Sequence, residues 1–160
     1  MNLITAVVTV GLFAVVTVGG IQYVGADTET RVRMSGTADA GFQALDSAFR
    51  ARQAAGLPAP AAAGWEAALF PSFGTRPTPP KDLDWSYGVD ATGTWFCLSG
   101  TPKDQMPRAA LERLKARYAE ASYTVKESCA AAAAKAGTVA ATYWVVKAVD
   151  PGAAPPGAAG

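Results

Sequence analysis

From Met1 to Ala26 the chain carries no charged side chain, and from Leu3 to Val24 it is mostly Val, Ala, Leu, Ile, Phe, Thr and Gly. Such a stretch has few options. An α-helix rises about 1.5 Å per residue, so about 20 apolar residues cross a hydrocarbon layer roughly 30 Å thick. A core helix of a water-soluble domain carries a polar stripe, and this stretch has none. A cleavable secretory signal has a basic start and an apolar run of about 7–15 residues. Met1-Asn2 supplies no basic group, and the run is longer than that. Residues 1–25 therefore read as a retained membrane helix. A signal peptide and a buried core helix are the two alternatives.

The rest of the 160 residues leaves one extracytoplasmic domain over residues 26–150, of a size ordinary for a single core. A net charge of +1 argues against electrostatic capture of nucleic acid or anionic lipid as the main activity. The absence of histidine removes the commonest general base and metal ligand. With two cysteines and no histidine, a structural zinc site is not expected. Phosphate-cradling glycine motifs and nucleophile elbows are missing from the sequence. Asp82, Asp84 and Asp90 are candidates for an acid–base pair or a calcium site. They stand in loop and turn positions where aspartate is favoured for backbone reasons. Neither an enzyme nor a cofactor is expected. Cys97 and Cys129, 32 positions apart, read as a disulfide in an oxidising compartment, or as two buried thiols in a cytosolic one.

Charges begin at Asp27, Glu29, Arg31 and Arg33. Beyond them Met34, Ala38, Phe42, Leu45 and Phe49 recur at helical spacing and share one face, with Asp39, Asp46, Arg50 and Arg52 off it. Gly56 is a C-terminal stop. The simplest reading is one helix of about 55 residues, roughly 80 Å long. Its rival is two helices broken near Gly25 or Gly36, since each internal glycine costs about 1 kcal/mol relative to alanine. Residues 57–82 are proline-rich, with a helical turn expected at Trp65–Phe70 and packing by Trp65, Leu69, Phe70 and Phe73. Asp84–Gly100 reads as a β-hairpin turning at Asp90-Ala-Thr-Gly93. Asp104–Ala121 reads as a second amphipathic helix capped by Asp104, its basic residues forming a solvated face. Tyr123–Val125 and Thr138–Val149 read as strands. Ala130–Ala134 is a helical turn or a loop, and residues 151–160 are a flexible tail.

An apolar helix running into an amphipathic one, then a loop, a small antiparallel sheet and a cysteine pair, resembles a type IV pilin. Met1-Asn-Leu-Ile-Thr5 is similar to the mature N-terminus of the type IVb kind. The resemblance implies an α+β fold, with the long helix packed on a small antiparallel β-sheet holding one disulfide. It also implies that Met1 is a processed, often methylated terminus, exposed when a prepilin peptidase removes a basic leader. Leu3, Ile4, Thr5, Ala6, Gly11, Ala14, Gly19 and Gly20 would make the filament-core contacts, the small residues allowing close helix approach. Major subunits of the family carry glutamate where this chain has Thr5, and a hydroxyl cannot neutralise an amine. Some minor subunits and tip pseudopilins also lack it. The implied function is therefore a minor or tip subunit acting in assembly or adhesion. Its partners are other pilin-like subunits, and the inner membrane before assembly. Its place is the bacterial inner membrane, then the pilus surface. A pseudopilin of a type II secretion system and a solitary single-pass binding module are the alternatives.

Overall fold

A computed structural model of the chain describes residues 26–130 and 132–147. Helix α1 (Ala26–Ala54) continues unbroken through Gly36 and Gly41. It ends where the sequence places the stop. Gly56 adopts φ 75°, its N–H donates to Gln53 O (2.9 Å), and Leu57 N–H donates to Arg52 O (3.3 Å). This left-handed cap satisfies two carbonyls that have no partner within the helix. The expected stripe is the buried face: Ala38, Phe42, Leu45 and Phe49 are at most 1 % exposed. Met34 is only half-buried, and Asp27–Arg33 are exposed, so burial begins about two turns into the described helix.

Beneath α1 lie strands β1 (Asp84–Asp90), β2 (Gly93–Gly100), β3 (Tyr123–Lys126) and β4 (Val139–Lys147), in the order β1-β2-β4-β3. Every pairing is antiparallel. The register aligns Trp85, Leu98, Ala141 and Val125 in one row across the sheet. Tyr87, Phe96, Tyr143 and Tyr123 form the next. These two rows meet α1. Phe42 packs edge-on against Trp85 (4.9 Å between ring centroids) and Tyr123 (5.8 Å). Phe49 meets Phe96 (6.3 Å) and Tyr87 (6.5 Å). Fully burying each such ring is worth about 1.5–3 kcal/mol, and the four contacts fix how α1 crosses the strands.

Gly41 makes the close approach possible. A Cβ there would stand 2.3 Å from Trp85 Cζ2, so the glycine that weakens the helix locally is what seats the indole. The hairpin has the expected form, with Asp90 paired to Gly93 and Gly93 at φ 127°.

The proline-rich segment is ordered by packing. Helix α2 (Trp65–Leu69) places Trp65 in a stack with Tyr87 (5.9 Å). The Tyr87 hydroxyl donates to Pro60 O (3.1 Å). Arg52 holds both ends of the segment from α1, donating to Pro58 O (2.8 Å) and Ala68 O (2.9 Å).

The second amphipathic helix is shorter than its sequence pattern. Helix α3 covers Met106–Glu112 and continues as a 3₁₀ turn over Arg113–Ala116. Gln105 occupies the cap position without a side-chain cap bond. Asp104 Oδ1 instead accepts the Met106 N–H (2.8 Å). At its end the Tyr118 N–H still donates to Leu114 O (3.3 Å), while the Tyr118 ring stacks on Tyr123 (5.1 Å) and its hydroxyl donates to Asp39 Oδ1 (2.7 Å). Ala130 and residues 132–134 form a loop rather than a helical turn.

Candidate interaction surface

Catalysis or metal binding needs convergent groups, and Asp84 and Asp90 stand at opposite ends of one strand. Asp84 opens the seven-residue β1 and Asp90 closes it. The Asp90 carboxylate is committed to the turn, accepting from Thr92 N (2.7 Å), Thr92 Oγ1 (2.5 Å) and Trp95 Nε1 (2.8 Å). Burial pushes this carboxyl up, hydrogen bonds from Thr92 and Trp95 outweigh it, and the group is held below its ordinary value. Among the described residues no group of three or more His, Cys, Asp or Glu is placed to hold a metal ion.

The cysteine pair is a disulfide, its Cα atoms 5.9 Å apart. It lies on the sheet face away from α1. Cys97 is in a row with Ser86, Thr142 and Thr124 and is fully buried. The bond draws the β3–β4 connection over that face, where Ala130 N–H donates to Thr142 Oγ1 (3.0 Å). Toward the hairpin end the same face carries Trp95 and Trp144, which are paired across β2 and β4. Trp95 lies against Gly88, where a Cβ would meet its ring at 2.3 Å. Trp144 Nε1 donates to Thr92 Oγ1 (3.1 Å), and Lys147 Nζ stands 5.3 Å from the Trp144 ring centroid.

A second surface lies where α1 leaves the domain. Val32, Ser35 and Gly36 of α1 face Arg113, Leu114 and Arg117 across a groove of about 260 Å³. Its floor is apolar and its rim basic. Arg117 ion-pairs with Asp39 at one atom, yet its side chain is 67 % exposed. Arg113 makes no ion pair among the described residues. Elsewhere on the expected basic face, Lys115 pairs with Glu112 (2.5 Å) and Arg108 approaches Glu127 (3.8 Å).

Asp39 is the polar residue that the helical pattern misplaced. Its position off the apolar stripe predicts solvent, but it is 6 % exposed. It accepts hydrogen bonds from Tyr118 and Arg117. Burial first, and then the bond to Asp39, push the Tyr118 hydroxyl well above its ordinary value. No sequence motif announces this contact, because its members are separated by 78 and 79 positions.

No protein-family model, curated protein or solved structure matches the chain. Of the residues singled out from sequence, Cys97 and Cys129 are brought together. Met1, Leu3, Ile4, Thr5, Ala6, Gly11, Ala14, Gly19 and Gly20 lie outside the described residues, as do the expected membrane helix over 1–25 and the tail over 151–160. Among the described residues no helix is long and apolar enough to cross a membrane.

Proposed function

We propose that this chain is a structural subunit of a type IV pilus-like filament, a minor or tip subunit acting in assembly or adhesion. One observation carries the reading. The 29-residue α1 follows directly on a stretch without charge, keeps its first two described turns exposed, and lays its later turns on an antiparallel sheet. A helix so divided suits two environments in succession. The apolar stretch exchanges lipid for neighbouring helices, through small residues such as Ala6, Gly11, Ala14, Gly19 and Gly20. The domain presents the disulfide-closed face outward.

In this reading Met1 is exposed by removal of a leader and methylated. Thr5 leaves the terminal amine of a neighbouring copy without a counter-charge, and an unpaired charge in an apolar setting costs several kcal/mol. The chain therefore sits at a tip or at low copy number. Quantitative mass spectrometry and immunogold labelling of sheared filaments test this. Sparse or terminal labelling is expected. Uniform labelling along the shaft, at the copy number of a bulk subunit, refutes the minor role. Retention of the whole pool in the membrane fraction refutes the filament and leaves a solitary anchored binding module.

A further inference from the structure

We infer that the free edge of β1 takes up an extended segment of a different protein as a fifth, antiparallel strand, with basic side chains opposite Asp84 and Asp90. The inference goes beyond the filament reading and concerns the domain alone. It begins with the backbone. Trp144 N–H donates to Ser122 O (2.9 Å), so Ser122 and Trp144 form a hydrogen-bonded pair beside the β3–β4 ladder. Such pairs alternate along an antiparallel ladder, and backbone groups that turn from one neighbour face the other. Carried through the register, the alternation turns Ser86 and Gly88 toward β2, and Trp85, Tyr87 and Val89 toward the open side of β1. No hydrogen bond from the described residues reaches the N–H and C=O groups of these three on that side. Buried backbone groups are almost always paired, so this edge faces solvent and is a template for another chain.

The two edges of the sheet differ. β3 is Tyr-Thr-Val-Lys, four residues ending in lysine, the short and charged form by which sheets avoid pairing. β1 is Asp-Trp-Ser-Tyr-Gly-Val-Asp, seven residues with no lysine and no proline, and its pairing with β2 has no bulge. Its open groups recur at every second residue, a period that an extended chain matches. The side chains decide which chain. Asp84, Ser86, Gly88 and Asp90 share the sheet face away from α1. In a new antiparallel pair they occupy the positions where opposing side chains come closest. Asp84 and Asp90 are exposed and make no ion pair among the described residues. Of the nearby cations, Lys147 is turned to the β3 side, where it donates to Ala121 O (2.8 Å). Lys81 precedes the strand and is followed by Asp82. A second copy of β1, paired through all three open residues, would set Asp84 against Asp90 at both ends, and like charges directly opposite destabilise. A second copy of β3 has only Tyr123 and Val125 to offer three open residues. The occupant is therefore another protein, with Lys or Arg at both ends of a seven-residue stretch and small side chains opposite Ser86 and Gly88.

The test is amide exchange, read by NMR on the full nitrogen-labelled chain in detergent. The probe is the end-blocked peptide Lys-Val-Thr-Val-Thr-Val-Lys. In the free chain the amides of Trp85, Tyr87 and Val89 should exchange fast, and at about millimolar probe they should become protected. The same peptide N-methylated at its three valines has lost the donors that would face β1, and should protect nothing. With glutamate in place of both lysines it should bind about tenfold more weakly. D84K should erase that preference, at a position exposed enough to leave the fold alone. Slow exchange of the three amides in the free chain means that the edge is already covered, and overturns the inference. Protection that rises with chain concentration alone assigns the edge to a second copy, and also overturns it. So do failure of the probe to bind, protection at Tyr123 and Val125 instead, and equal binding of the methylated or the glutamate peptide. None of these outcomes bears on the filament reading, which sheared filaments test separately.

Discussion

Two glycines of one helix should respond to the same substitution with opposite sign. Gly36 and Gly41 both lie inside α1, where replacing glycine by alanine gains about 1 kcal/mol of helix propensity. At Gly36 a Cβ meets nothing within 4 Å, so Gly36→Ala should stabilise the domain by nearly that amount. At Gly41 the added carbon would stand 2.3 Å from Trp85 Cζ2 and 2.9 Å from Cη2, closer than any real contact. The indole must move, and it is only 6 % exposed and packed edge-on against Phe42 at 4.9 Å. Among the described residues its Nε1 has no hydrogen-bond partner, so packing sets its position there. Overpacking a core costs about 1–3 kcal/mol. Set against the propensity gain, Gly41→Ala should destabilise by up to about 2 kcal/mol. Guanidinium unfolding of the full chain in detergent, followed by tryptophan fluorescence, reads both variants. Midpoints should move apart on either side of the parent, and the G41A emission should shift as Trp85 is displaced. If G41A is as stable as G36A, the close approach of α1 to β1 is wrong, and with it the account of why this helix tolerates a central glycine.

The disulfide and the buried tyrosines carry three further expected outcomes. Replacing both Cys97 and Cys129 by serine should cost about 3–4 kcal/mol by the loop-closure model, and intact-mass measurement of alkylated, unreduced protein should find no free thiol. Burial raises the hydroxyls of Tyr118 and Tyr123 above their ordinary value of 10.0. A raised group contributes its stabilisation in full below the unfolded value and loses it as pH rises through the folded one. Stability should therefore fall as pH climbs past about 10. Asp39→Asn removes a charge that helps hold Tyr118 protonated, so phenolate absorbance should then appear at lower pH. An unchanged titration curve in D39N would show that the buried carboxylate does not act on Tyr118.

The sequence by itself determined the elements whose signals are local. Periodicity marked the buried face of α1, because neighbouring turns place residues three and four apart on one side. Gly56 marked its end, because a left-handed cap is cheapest for glycine. Alternation around Asp90–Gly93 marked the hairpin, and an even cysteine count allowed the Cys97–Cys129 bond. Only the tertiary structure decided the strand order β1-β2-β4-β3, which places the last strand between β2 and β3. It ended the second helix at Ala116, where the Tyr118 side chain is engaged by Tyr123 and Asp39, contacts between segments distant in the chain. It also buried Asp39, the residue that the pattern set in solvent. The groove beside Val32 belongs to this second class. Its two walls are about 80 positions apart in the chain, and no local pattern records a surface that exists only where distant segments meet.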